Sequence, residues 1–439
     1  MRTLPALLIA ALLTACSAIA PPPSPADTVS AMDGIARRYV ALVLELGTHD
    51  DGYVDAYYGP PEWRQQAEAS PRSLADLRTA AEALAARIEA LPPATGEEAE
   101  LRELRRVFLG KQLRAVAARA AMLEGETFSF DEESRALYDA VAPRHTAEEF
   151  EEVLAEIDRR LPGEGPLPER YARWRERFVI PPERLSDVFD AAIAACRERT
   201  AAHLELPAGE GFPVEYVTDQ PWSGYNWYQG GYQSLVQVNT DLPIYVDRAV
   251  DLACHEGYPG HHVYNALLER ELVEERGWVE FSVYPLYSPL SLLAEGTANY
   301  GIEVAFPGDE RVDFERRVLF PLAGIDPALA DEYYATQELL QRLDHAGNEA
   351  ARRYLEGDFT RQQAADWLVR YALMTPERAA QRVRFFDTYR SYVINYNLGQ
   401  DIVRRWVESQ GGTADAPERR WELFTQLLTT PRVPSALVP

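Results

Sequence analysis

The sequence predicts a mainly α-helical protein with one small β-sheet in a wall of a cleft between two helical lobes. Three observations carry that expectation. Apolar residues recur at spacings of three and four, as in Ile35-Ala36-Val40-Val43-Leu44 and Leu101-Leu104-Val107-Phe108, the period of a helix with one buried face. Alternation of the kind strands show is confined to residues 212–217 and 234–240. Proline and glycine pairs punctuate the helical stretches rather than repeat at a fixed period, so a solenoid is unsupported.

The 439 residues begin with Arg2 and an apolar run from Leu4 to Leu13, too short to span a bilayer as a mature helix. Residues 1–15 read as an export signal. The run ends in Leu13-Thr14-Ala15-Cys16, which resembles the lipobox of bacterial lipoproteins, where the cysteine is lipidated and becomes the new N-terminus. An ordinary secretory signal cut near Ala15 is the other reading. Ser17 follows the cysteine, and by the usual sorting rule that directs a lipoprotein to the outer membrane, facing the periplasm. Outer-membrane lipid, through acylated Cys16, is thus one expected partner. Residues 16–27, with Pro21-Pro22-Pro23-Ser24-Pro25, read as a stiff extended tether.

Residues 28–205 are expected to form a helical lobe, with amphipathic runs such as 74–91 and breaks at Gly59-Pro60-Pro61, Leu91-Pro92-Pro93, Leu161-Pro162-Gly163 and Ile180-Pro181-Pro182. Residues 206–439 form the expected catalytic region. It opens on the two candidate strands, with the tyrosine-, tryptophan- and glycine-rich segment 220–231 between them as a hairpin or loop. Helical patterns resume at Asp247. Cys196 and Cys254 sit in helix-like apolar patterns and read as small buried hydrophobes rather than a disulfide framework. A net charge of −25 repels phosphate backbones, which excludes nucleic acid as an expected partner.

Three of the seven histidines fall in His255-Glu256-Gly257-Tyr258-Pro259-Gly260-His261-His262. Two histidines four apart on a helix, with a glutamate beside the first, are the usual zinc ligands and general base of a peptidase. Here Pro259 holds the fourth position. Proline removes an amide donor and glycine takes positive φ readily, so the pair breaks or unwinds the helix. In an unbroken helix His262 shares the face of His255; after a two-residue bulge His261 takes that place. Spacing leaves both open. Glu295, in the apolar small-residue segment Leu292-Leu293-Ala294-Glu295-Gly296-Thr297-Ala298, is the expected third ligand, because an unpaired carboxylate is costly to bury there.

The eight-residue motif, followed by Glu295-Gly296-Thr297-Ala298-Asn299-Tyr300, resembles the bacterial domain-of-unknown-function family number 885, grouped with the zincin-like metallopeptidases. The resemblance covers about residues 211–407. It implies a gluzincin-type fold with His255, His261 and Glu295 on zinc and Glu256 as catalytic base, since the family keeps the first histidine after Pro-Gly. The chain departs from the family in being shorter and in echoing a later arginine–aspartate–histidine segment only loosely, at Arg342-Leu343-Asp344-His345.

Tyr392, Tyr396 and Gln400, in a segment echoing the family's Tyr-x-x-Gly, lie four apart on one helix face. Tyr396 is the expected oxyanion donor, with Tyr392 the substitute. The strand 235–240 is read either as an edge that pairs with an extended peptide substrate or as a structural hairpin. The expected function is a zinc-dependent hydrolase of peptide bonds. The alternatives are an envelope lipoprotein with a structural or vestigial metal site acting as a binding scaffold, and a hydrolase of non-peptide amides.

Overall fold

The structure, a computed structural model, describes residues 25–96 and 98–438. The export signal and Cys16 lie outside them. The last residues of the expected tether, 25–27, are already the start of a helix, Pro25–Gly47. The described chain is mainly helical with two small sheets, and no helix among the described residues is long and apolar enough to cross a membrane.

In the first stretch the helices stop where the proline and glycine pairs stand. Helix Leu74–Glu89 ends before Leu91-Pro92-Pro93, and helix Ala147–Arg160 before Leu161-Pro162-Gly163. Helices Pro25–Gly47, Leu74–Glu89 and Ala99–Leu123 pack together through residues such as Val40, Leu77 and Leu113. Arg105, buried on the third, is held by Glu280 through Nε (2.5 Å) and Nη2 (3.0 Å) and by Asp33 through Nη1 (2.8 Å). A buried guanidinium requires that pairing, because an uncompensated charge there is strongly destabilising.

The strands are β1 (Val54–Tyr57), β2 (Val214–Val217), β3 (Gly224–Gly230), β4 (Gln233–Asn239) and β5 (Val283–Pro285). The two expected strands are present as β2 and β4. Three unexpected ones accompany them: β3 inside the segment read as hairpin or loop, β1 within the stretch read as all helical, and β5 among the helical patterns that follow Asp247. β1 pairs antiparallel with β5, so the first stretch is stitched to the second. In the other sheet β4 is central, parallel to β2 and antiparallel to β3. This corrects the reading of 235–240 as an edge, since both sides of that backbone are already hydrogen-bonded. β3 instead has no strand on its outer side among the described residues.

The cysteine reading is also corrected. Cys196, on helix Leu185–Ala201, and Cys254 form a disulfide, with Cα atoms 5.5 Å apart. That spacing lies within the usual range for a bridge. Both cysteines are fully buried, so their apolar surroundings were read correctly and their bond was not.

Candidate functional site

Helix Asp247–Leu252 runs into a wider π-helical turn, Ala253–Gly257, that carries His255 and Glu256. Turns of this kind arise where an extra residue is accommodated in a helix, often at functional sites. The chain then breaks at Pro259-Gly260 and restarts as helix His261–Leu268. Gly260 has φ −76°, so positive φ is not why glycine stands there. A Cβ on it would lie 1.9 Å from the His255 carbonyl oxygen. The helix can turn back on itself only at a residue without a side chain, and that turn returns His261 to the level of His255.

The third element is helix Pro289–Ala305, bearing Glu295. It meets helix Ile394–Ser409 backbone to backbone. A Cβ on Gly296 would sit 2.5 Å from the carbonyl of Gly399, and one on Gly399 would sit 2.6 Å from that of Leu292. This approach carries Tyr392, in the 3-10 turn Arg390–Val393 just before the second helix, onto the carboxylate. Its hydroxyl donates to Glu295 Oε1 at 2.8 Å.

The ligand atoms of His255, His261 and Glu295 all lie within 4.8 Å of one another. Nε2 of His255 is 3.1 Å from Nε2 of His261 and 3.2 Å from Oε2 of Glu295; His261 Nε2 is 3.6 Å from that same oxygen. Asn299 donates its amide to the Tyr396 carbonyl (2.9 Å), so its Oδ1 must accept from His255 Nδ1 (2.9 Å). The Nε2 lone pair of a neutral His255 is thereby turned toward the cluster. Glu295 Oε2, buried, makes no hydrogen bond among the described residues; its contacts with the two imidazoles are electrostatic. Burial opposes the Glu295 carboxylate, but the two histidines outweigh it and hold the group far below the ordinary range. Burial likewise works against the His261 cation, which Glu295, Glu256 and Asp55 push up to about 9. Two imidazoles and an orphaned carboxylate oxygen converging in this way are a donor set that fits a divalent cation.

Glu256 points elsewhere. Its Oε1 is 4.0 Å from His255 Nε2, and its carboxylate accepts no hydrogen bond among the described residues while lining the same cavity, which measures about 660 Å³. Burial, with the Glu295 charge adding to it, raises its pKa. Tyr396 also lines the cavity; burial and the Glu295 charge keep its phenol protonated.

The other candidates are placed away from the cluster. His262 is fully buried and spoken for at both nitrogens, by Glu210 Oε2 at Nε2 (3.0 Å) and by the Ser234 hydroxyl at Nδ1 (2.9 Å). His345 pairs with Asp401 at 3.1 Å and lies tilted against the His145 ring, centroids 4.8 Å apart. Glu303, the other carboxylate on the Glu295 helix, is paired with Arg404 and Gln400. Sequence reasoning missed Asn299 and Asp55. The first stands one helical turn after Glu295, a spacing that could have marked it. Asp55, on β1, accepts from the Tyr225 hydroxyl and lines the cavity; burial pushes its carboxyl up to about 6. It comes from the other end of the chain, and nothing local signals it.

No family model matches the chain, and neither does any curated protein. Among solved structures it is similar to a crystal structure from Colwellia psychrerythraea provisionally called a lipoprotein, with TM-score 0.50 and 16% identity. The match covers 84% of this chain and 66% of that one, so this chain spans about two thirds of its length. The structure of BsuCP aligns with TM-score 0.46 and 10% identity, over 93% of this chain and 92% of that one. At such identities the first likeness is one of fold alone.

Proposed function

We propose that the chain is a metal-dependent hydrolase of peptide bonds with zinc as its metal, related to the zincin-like family its motif resembles. The observation that carries this reading is the pairing of two unlike features in one cavity. Three ligand atoms converge at His255, His261 and Glu295, and beside them stands the Glu256 carboxylate, with no hydrogen-bond donor of its own among the described residues. A scaffold's metal site has no use for that second carboxylate.

Zinc held by two imidazoles and a carboxylate supplies an acidified water and polarises a carbonyl. The protein's own groups do the rest. Glu256 takes the proton, and its raised pKa brings its basicity nearer neutrality, where a general base works best. Tyr396 keeps its hydroxyl proton and has no partner for it among the described residues, which suits a donor to the developing oxyanion. Tyr392 is less suited, its hydroxyl being committed to Glu295. The outer side of β3 is the stretch of strand backbone able to pair with an extended substrate; residues 221–226, at its start, line the cavity.

An envelope lipoprotein anchored through Cys16 is the placement we infer. The lipobox-like motif, the Cys196–Cys254 disulfide and the name given to the Colwellia psychrerythraea protein agree with it. Disulfides persist in oxidising compartments outside the cytosol.

The test is metal analysis paired with a peptide screen. Protein purified without chelator is expected to hold about one zinc per chain, and His255→Ala or Glu295→Ala to lose it. Glu256→Gln is expected to keep the metal while hydrolysis falls by roughly two to four powers of ten. Stoichiometric zinc in either ligand variant, or full activity in Glu256→Gln, overturns the reading.

A further inference from the structure

Helix Pro376–Tyr389 presents Arg378 and Arg382 one turn apart, and both line the cavity that holds His255, Glu256 and Glu295. Other arginines in that lining have carboxylate partners: Arg175 faces Asp247, Arg248 faces Asp251, and Arg311 is shared between Asp251 and Glu315. Arg378 and Arg382 have none among the described residues. The Arg378 guanidinium makes a single hydrogen bond among the described residues, to the Pro243 carbonyl at 2.7 Å. The Arg382 guanidinium makes no hydrogen bond or ion pair among the described residues. Its guanidinium carbon rests 4.5 Å from the ring centroid of Phe385 and 5.7 Å from that of Tyr396. Asp344 lines the same cavity but forms no ion pair with either.

Burial disfavours both cations. A guanidinium offers five donors in a planar fork shaped to a carboxylate. In a protein with 69 acidic side chains against 44 basic ones, two arginines at the wall of one cavity with acid nearby but no ion-pair partner among the described residues stand out. The Tyr396 ring also bounds the distance of Arg382 from the reacting groups. Its centroid is 5.7 Å from the Arg382 guanidinium and 5.8 Å from the Tyr392 ring, whose hydroxyl is bonded to Glu295. Extended chain advances about 3.3–3.6 Å per residue, so Arg382 lies only a few substrate residues from the ligand cluster, with Arg378 one helical turn from it.

We propose that Arg378 and Arg382 form a subsite for a carboxylate of the peptide substrate, held a few residues from the bond to be cleaved. This rests on the hydrolase reading above. The carboxylate belongs either to a free C-terminus, which makes the protein an exopeptidase working from that end, or to an acidic side chain.

The test is binding of N-acetylated tripeptides to the full-length Glu256→Gln chain in detergent micelles, by calorimetry. Three probes are compared: free acid, C-terminal amide, and an amide carrying an internal glutamate. The free acid is expected to bind roughly 10- to 100-fold more tightly than the plain amide, the usual worth of a hydrogen-bonded charge. Adding Arg382→Gln is expected to abolish that preference without changing amide affinity, Arg382→Lys to restore part of it, and Arg378→Gln to weaken it. A preference that follows the internal glutamate instead assigns the same subsite to a side chain. The acid–amide comparison needs no arginine variant, so a misfolded one leaves the result intact. Equal binding of acid and amide, or binding of neither, overturns the subsite. Hydrolysis of the same peptides by the unsubstituted chain is read separately. Cleavage without carboxylate preference leaves the hydrolase standing and removes the subsite, whereas Arg382-dependent binding without cleavage does the reverse.

Discussion

His261 and His262 are neighbours in sequence with opposite surroundings, and a substitution at each separates their roles. His261→Ala is expected to lose bound metal. His262→Ala is expected to retain it and to lose roughly 1–3 kcal/mol of stability instead, because the Ser234 hydroxyl is left buried without a partner and Glu210 Oε2 loses one of its donors. Metal content and urea unfolding of the two variants decide this. The Glu210 contribution also carries a pH signature. Burial would raise that carboxyl, yet hydrogen bonds from His262, Tyr258 and Arg197 hold it at about 2. A depressed folded pKa means the stabilisation is whole above the unfolded value near 4.5 and disappears as pH falls toward 2. The gap in stability between the unsubstituted chain and His262→Ala is therefore expected to be wide at pH 6 and to narrow below pH 4.5. That histidines of this motif gather with Glu295 was legible in the residue types. Which histidine follows His255 was not legible from spacing, because that choice is made by Gly260 folding back on the His255 carbonyl.

At the scale of elements, the site depends on two close backbone approaches, Gly260 on His255 and Gly296 on Gly399. Gly296→Ala places a methyl 2.5 Å from a carbonyl that has no room to move. The helices must separate, and overpacking of this kind costs about 1–3 kcal/mol. We expect metal affinity to fall with stability, because Glu295 lies on the displaced helix; Ala298→Gly, on the same helix, is the control that loosens without overpacking. Calorimetric melting and metal titration of both read the difference. The helices of the first stretch were legible from period and proline breaks, since each signal is local. β3 was not. Its glycines and aromatic residues match the composition of a loop, and only its partner β4 makes the stretch a strand. β1 is four residues long and gains its partner, β5, from more than two hundred residues away.

Across the whole molecule, the Cys196–Cys254 bond closes a loop of 58 residues and ends one residue before His255. The chain-entropy account assigns such a loop about 4 kcal/mol. Replacing both cysteines by serine is expected to lower the melting temperature clearly, and thermal denaturation with and without reductant checks it. The bond was invisible in the sequence because a free and a bridged cysteine leave the same apolar pattern. The pairing of β1 with β5 reaches further still. It places Asp55 in the cavity wall and gives each of the two stretches one strand of a sheet that neither completes alone. Genes commonly exchange modules at boundaries that few contacts cross, and here the strand pairing removes that option: the two stretches must be inherited, and must diverge, as one unit.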